Sequence, residues 1–237
     1  ARRLRQRILT VIDWAVAKGY RGSPLPTAMI DKSLPKQRAR PKHHAALPYA
    51  DLPALMAKLR EKETMGRLAL EAAILTATRS GEVRLAVWDE VDLKAATWTI
   101  SAARMKAGRD HVVPLSPQAV ALFERMKRHR RGDSNLVFPG NARKRPLSDM
   151  TLTKVLRDMK VDAVPHGFRS TFRDWVAEST NFPGELAEAA LAHVISDKTI
   201  AAYQRGSMLE KRRRLMSAWA NYCEGEHGKI VRRAAGR

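Results

Sequence analysis

Cysteine is nearly missing from this sequence: Cys223 is the only one in 237 residues. That excludes an intramolecular disulfide and a cysteine-rich zinc site, and it fits a reducing, cytosolic compartment. Cys223 follows the apolar-periodic stretch Leu215 to Tyr222 and reads as a packed residue, not a nucleophile. Acid is scarce relative to base: 24 Asp and Glu stand against 44 Lys and Arg, a formal charge of +20. That imbalance points to a polyanionic partner, nucleic acid ahead of an anionic membrane. Long apolar runs are lacking too. None approaches the roughly 20 residues of a spanning helix, and no segment has the form of a signal peptide. There is no acidic cluster with metal-ligand spacing and no phosphate-binding glycine loop, so neither a metal nor another cofactor is expected.

What is present is an ordinary apolar fraction, 44%, which is enough for a real core. Leu4, Ile8, Val11, Ile12, Ala15 and Val16 recur at helical spacing, and Gly19 stops that helix. Residues 21–48 hold five prolines and many cations, so they read as a linker. Residues 1–45 carry 11 Lys and Arg against 2 Asp, a charge that suits a phosphate backbone or a solvated face. Asp51 is expected to cap a helix bearing Leu52, Leu55, Met56 and Leu59. Thr64 opens another, bearing Leu68, Ala72 and Leu75 and ending near Arg79. The period then changes. Short strands are predicted near 86–92, 97–101 and 111–115, forming a small antiparallel sheet with Trp88 and Trp98 in its core. Helical patterns return at Ser116–Arg131, Ser148–Met159, Gly167–Ser179, Gly184–Ala192, Asp197–Gln204 and Met208–Tyr222. The tail from 225 is polar and basic. The expected fold class is α+β, mainly α.

Singly, the polar candidates are weak. Arg79, in "ATRSGEVRLAVW", can simply neutralise a helix C-terminus. Lys106, in "RMKAGRDH", sits at a hairpin tip, where lysines are usually solvated. His166 and Arg169, in "PHGFRSTFRDW", share one helix face. His193 and Tyr203 lie ten residues apart in "LAHVISDKTIAAYQR", and a lone helical tyrosine is commonly a core residue with a wet hydroxyl. His43 and His44 form a pair without companions. His111 reads as a strand residue, and His129 and His227 as solvated.

Together, the order Arg, Lys, His-x-x-Arg, His, Tyr in a basic chain resembles the catalytic domain of tyrosine recombinases, the phage and genomic-island integrases. The resembling segments are "HGFRSTFRDW", "RMKAGRDHVVPLS" and "EAALAH…AAYQRG…KRRRLMSAWA". They run nearly continuously over 45–223. Ser207 departs from the acidic residue of that branch. The resemblance implies an integrase-type catalytic domain at 49–223, a linker at 31–48, the last helix of a core-binding domain at 1–30 and a flexible tail at 224–237. It implies a longer parent protein, since the chain opens at Ala1 within a helix.

The resemblance also implies roles. Arg79 and Arg169 fork onto the non-bridging oxygens of a phosphodiester, where preorganised cations are the main catalytic device. Tyr203 is the nucleophile, giving a 3′-phosphotyrosyl intermediate. Lys106 protonates the departing 5′-hydroxyl, His166 serves as base on Tyr203, and His193 donates to a non-bridging oxygen. Implied partners are double-stranded DNA at attachment sites, further copies of the chain in a tetrameric synapse, a directionality factor and a host DNA-bending protein. The implied setting is the bacterial cytoplasm, on the nucleoid. A non-enzymatic DNA-binding module and a type IB topoisomerase-like enzyme are the competing readings. Arg173 reads as a phosphate contact or a solvated cation. Glu82 is placed to hold Arg79. The helix at 208–222 can pack on its own domain; in the resembled family the C-terminal segment docks on a neighbouring protomer, and the same is expected here.

Overall fold

The computed structural model describes residues 2–27, 45–105, 107–130, 132, 134–141, 145–193 and 208–226. The chain divides into two compact units, Ala1–His43 and His44–Arg237. In the first unit, helix α1 spans Arg2–Ala17. Its Leu4, Ile8, Val11 and Trp14 are exposed, and Trp14 lies 5.7 Å from Tyr20.

The second unit is built around a helix buried on nearly every side. Helix α2 (Leu52–Arg60) leads into α3 (Met65–Thr76), whose residues from Leu68 to Thr76 are all buried. Such all-round burial needs small residues, and Ala69, Ala72 and Ala73 supply them. Thr64 caps α3 by accepting the Arg67 N–H. Asp51 stands at the N-cap of α2 but makes no side-chain cap bond. A 3-10 turn at Tyr49–Asp51 already leads the chain into that helix, so the expected cap is not used.

Helix α4 (Ser80–Arg84) follows at once, then strands β1 (Val91–Asp92), β2 (Thr97–Ile100) and β3 (His111–Pro114). They pair antiparallel in the order β1-β2-β3, with Val91 opposite Trp98 and Ile100 opposite His111. The first strand is much shorter than the 86–92 expected. Trp88–Glu90 closes a 3-10 turn, and Val87 instead bridges Leu136. The Glu90 carboxylate favours the turn, accepting the Val87 N–H and the Trp98 indole N–H.

Helices α5 (Pro117–Lys127), α6 (Thr151–Asp158), α7 (Gly167–Ser179), α8 (Gly184–Ala190) and α9 (Leu209–Cys223) complete the described elements. Phe172, Trp175, Trp219 and Tyr222 form one aromatic cluster, with Phe172 edge-on to Trp219 at 5.2 Å. The Trp219 indole donates to the Ile74 carbonyl at 2.8 Å, and the Tyr222 hydroxyl to Tyr49 O. Helix α9 therefore packs on its own domain, and its Leu215, Met216 and Trp219 are core. Truncating such a residue to Ala costs about 3–5 kcal/mol. This apolar stripe is used within its own domain, and the segment after residue 226, to which the expected docking also refers, lies outside the described residues. Burial also pushes the Cys223 thiol well above its usual range, which removes thiolate chemistry.

Candidate active site

Arg169 is the structural centre of the site. Its side chain is buried although it is charged, so it needs partners in place. Helix α7 can carry it inward because Gly167 lets the helix start against another segment. A Cβ at Gly167 would lie 2.1 Å from the Ala45 carbonyl oxygen. The same stretch is tied down twice: Val164 N–H donates to Ala45 O, and the Thr171 hydroxyl donates to Leu47 O at 2.6 Å.

Two helix C-termini aim at the guanidinium. Nη1 donates to Ala77 O at 2.6 Å and Nη2 to Leu191 O at 2.5 Å. Helix α3 ends on Ala77 in the left-handed region, φ 52°. Helix α8 ends in a Schellman arrangement: His193 N–H reaches Glu188 O, Ala192 N–H reaches Ala189 O, and Ala192 has φ 49°. Carbonyls at helix C-termini are orphaned acceptors at the negative end of the helix dipole. They solvate the cation without adding a carboxylate. Burial and the neighbouring Arg79 pull the Arg169 pKa down to about 10, so it stays charged at neutral pH.

Nη2 also lies 3.1 Å from His193 Nε2. An arginine can only donate, so Nε2 is the acceptor here. Nδ1 then carries the proton and donates to Glu188 at 2.6 Å. His193 is therefore oriented from both sides, with its Nε2 on Arg169. The other oxygen of Glu188 takes Arg173 at 2.8 Å. Arg173 is largely exposed, as expected of a solvated cation, and also pairs with this carboxylate.

Arg79 lies two residues beyond Ala77, at the N-cap of α4. Glu82 holds it as expected: Oε2 accepts the Arg79 backbone N–H and Oε1 the guanidinium, both at 2.7 Å. Arg79 is partly exposed while Glu82 is buried. So the two arginines, 90 positions apart in sequence, come within electrostatic reach of each other. His166 stands at the N-cap of α7, exposed, and its carbonyl accepts the Arg169 N–H. The structure thus brings Arg79, Arg169 and His193 together and puts His166 one turn from Arg169. Lys106 and Tyr203 lie outside the described residues, as do Ser207, His43, His44, His227 and the helix expected at 197–204.

Several residues of the site carried no sequence signal of their own. His111, on β3, is held well below a normal histidine, at about 4. Burial is the main cause and the Arg212 and Arg169 charges add to it, against Glu82 and a bond with Ala190 O. Arg212 is buried and donates to Val112 O at 2.8 Å, binding α9 to β3. Arg104 joins the carboxylate of Glu90 to the carbonyl of Glu82. Glu188 could have been suspected only from its place five residues before His193. His129, expected to be solvated, lies at the surface and there bonds Glu63 at 2.8 Å. Among the described residues no three His, Cys, Asp or Glu side chains gather as a metal site, and no helix is long and apolar enough to cross a membrane.

A mostly helical domain with a small three-stranded antiparallel sheet is the architecture of integrase catalytic domains. Two solved structures share it: an integrase from mycobacterium phage Brujita (TM-score 0.58, 16% identity, 97% of this chain and 72% of that one) and a lambda integrase dimer bound to a COC′ core site (TM-score 0.54, 18% identity, 86% and 71%). Residues 46–210 match the phage integrase family, and the chain belongs to it. It is 33% identical to the integrase of Enterobacteria phage P4 and 36% identical to the prophage integrase IntA of Escherichia coli K12, over 98% and 97% of its own length. It spans 56% of each, about half the length of these curated relatives.

Proposed function

We propose that this chain is the catalytic part of a site-specific DNA recombinase that integrates and excises a mobile element. One observation carries the reading. A buried arginine is held by helix-end carbonyls and a histidine, with a second arginine in its field. Like charges are brought together at a cost, and a bound anion offsets it. A phosphodiester between Arg79 and Arg169 meets both forks.

In the proposed reaction the Tyr203 oxygen attacks phosphorus, with His166 taking its proton. The P–O5′ bond breaks, and Lys106 protonates the departing 5′ oxygen. Charge on the non-bridging oxygens is met by Arg79 and Arg169. His193, oriented through Nδ1 by Glu188, exchanges the Nε2 bond it accepts from Arg169 for a proton at that nitrogen, and donates a hydrogen bond from it to one of those oxygens. The 3′-phosphotyrosyl bond retains the energy for rejoining, so the cycle needs no ATP. The proposed partners are double-stranded attachment sites and further copies of the chain in a tetrameric synapse, with a directionality factor and a host DNA-bending protein. The proposed setting is the nucleoid in the bacterial cytoplasm.

The test is a suicide DNA substrate, nicked near the crossover site, with the full-length protein and its Tyr203→Phe variant. A covalent 3′ adduct on Tyr203 that is lost in the variant is expected. Tight binding without any adduct would move the assignment to a non-enzymatic DNA-binding module.

A further inference from the structure

Arg104 lies two residues before Lys106, where strand β2 leaves the sheet, and has no place in the chemistry above. Its guanidinium is nonetheless committed in two directions. Nη1 bonds both carboxylate oxygens of Glu90, and Nη2 donates to the backbone carbonyl of Glu82 at 2.5 Å. Glu90 belongs to the turn before β1 and also receives the Trp98 indole. Glu82 belongs to α4 and holds Arg79 through its carboxylate. Arg104 therefore connects the root of the hairpin to the helix that positions Arg79.

The hairpin is fixed around this root. Ala102 N–H donates to Asp110 Oδ1 at 2.7 Å, tying its two sides. Arg104 N–H and Met105 N–H close a 3-10 turn on Ser101 O and Ala102 O. Met105 is buried, and its carbonyl accepts Gly108 N–H at 3.0 Å. So the backbone on both sides of Lys106 is anchored, and the anchor runs through Arg104 to α4. A lysine at 104 could keep one charge contact but could not fork onto Glu90 and reach Glu82 O together.

We propose that Arg104 is a positioning residue that ties the root of the hairpin carrying Lys106 to the helix that follows Arg79, and so controls protonation of the leaving 5′ oxygen. The inference rests on the recombinase reading above. It makes a chemical prediction. In cleavage of the normal substrate, the O–P bond to Tyr203 forms, P–O5′ breaks, and the ammonium of Lys106 passes a proton to O5′. In a substrate with sulfur at the bridging 5′ position, P–S breaks and a thiolate leaves. With a thiol pKa of about 8.5, it needs no proton donor.

The experiment measures single-turnover cleavage of both suicide substrates by the full-length protein and its Arg104→Lys, Glu90→Gln and Lys106→Ala variants. Arg104→Lys is expected to slow the oxygen substrate by about 100-fold, the scale of a lost general acid, yet cleave the sulfur substrate within about threefold of the parent. Glu90→Gln should show the same pattern more weakly, and Arg104→Lys combined with Lys106→Ala should be no slower than Lys106→Ala alone. The sulfur substrate also controls for folding, because a misfolded variant fails on both. Equal slowing on both substrates, or no slowing, overturns the role of Arg104 while leaving the recombinase reading intact. No adduct from the parent protein on either substrate overturns that reading and this inference with it.

Discussion

The two arginines of the site are held in opposite ways. Arg79 is partly exposed and leans on one carboxylate, that of Glu82. Arg169 is buried and leans on none: its direct acceptors are Ala77 O, Leu191 O and His193. A carboxylate partner cancels a charge, whereas carbonyl dipoles solvate it and leave it standing. The cost is structural, because each carbonyl is the frayed end of a helix that the arginine must satisfy. Arg169 is thus a keystone between α3, α7 and α8 as well as a cation. Arg79 stands at the N-cap of a short helix and ties no other helix end.

The sharpest way to break this contrast is Arg169→Lys. Lysine keeps the charge but cannot serve two helix ends and a histidine at once. Leaving buried carbonyls unpaired should cost about 2–3 kcal/mol of stability, read from urea midpoints. Covalent adduct formation should fall by about 100- to 1000-fold. Arg79→Lys should lose cleavage on a similar scale with little change in midpoint. Equal destabilisation by the two would erase the distinction.

Gly167→Ala tests the keystone without touching charge. The added methyl meets Ala45 backbone, which cannot rotate away as a side chain can. A loss of about 2–4 kcal/mol is expected in the same urea titration. Arg169 and His166 move with the helix start, so DNA cleavage should fall with it.

Much of this architecture was legible in the sequence, and the misses have physical causes. Period-2 and period-3.6 patterns placed the sheet and most helices, because burial of one face is written in residue spacing. The spacing predicts helix α7 with its observed bounds, Gly167–Ser179. Spacing does not say what covers an apolar face. Helices α1 and α9 both carry apolar stripes with many arginines, yet Leu4 and Val11 are more than 60% exposed while Leu215 and Trp219 are fully buried. Likewise the pairing of Arg79 with Glu82 was legible because it is local, three residues apart. The wiring of Arg169 to Ala77 and Leu191 was not, since backbone carbonyls have no letter. Nor were Arg104 and His111, whose surroundings are set by contacts far along the chain.

His111 sharpens the picture through pH. It faces Arg169 and Arg212, with Glu82 and the Ala190 carbonyl on the other side of the balance. Its folded pKa near 4 lies below the ordinary 6.5. Between those values the unfolded chain binds more protons than the folded one, so stability rises with pH there. The contribution is complete above about pH 6.5 and is lost as pH falls toward 4. Its ceiling is about 3 kcal/mol, from roughly 1.4 kcal/mol per pH unit. Urea midpoints at pH 7.5 and pH 5 should differ clearly in the parent and much less in His111→Gln. An unchanged difference would mean that the acid sensitivity comes from carboxylates elsewhere.

The smallest effect concerns the strain behind the carbonyls. Helix α8 ends with Ala192 in the left-handed region, where a Cβ costs about 1 kcal/mol and glycine costs little. That geometry turns Leu191 O toward Arg169 and sets the backbone of His193. Ala192→Gly should relieve the strain, partly offset by the greater freedom of the unfolded chain, for a gain near 0.5 kcal/mol. If the left-handed turn only terminates the helix, cleavage should be unchanged or follow stability upward. If its stiffness keeps His193 on Arg169, the glycine variant should be slightly more stable and slower in cleavage. The keystone picture requires this opposite movement of the two measurements, and parallel movement would reduce Ala192 to a helix stop.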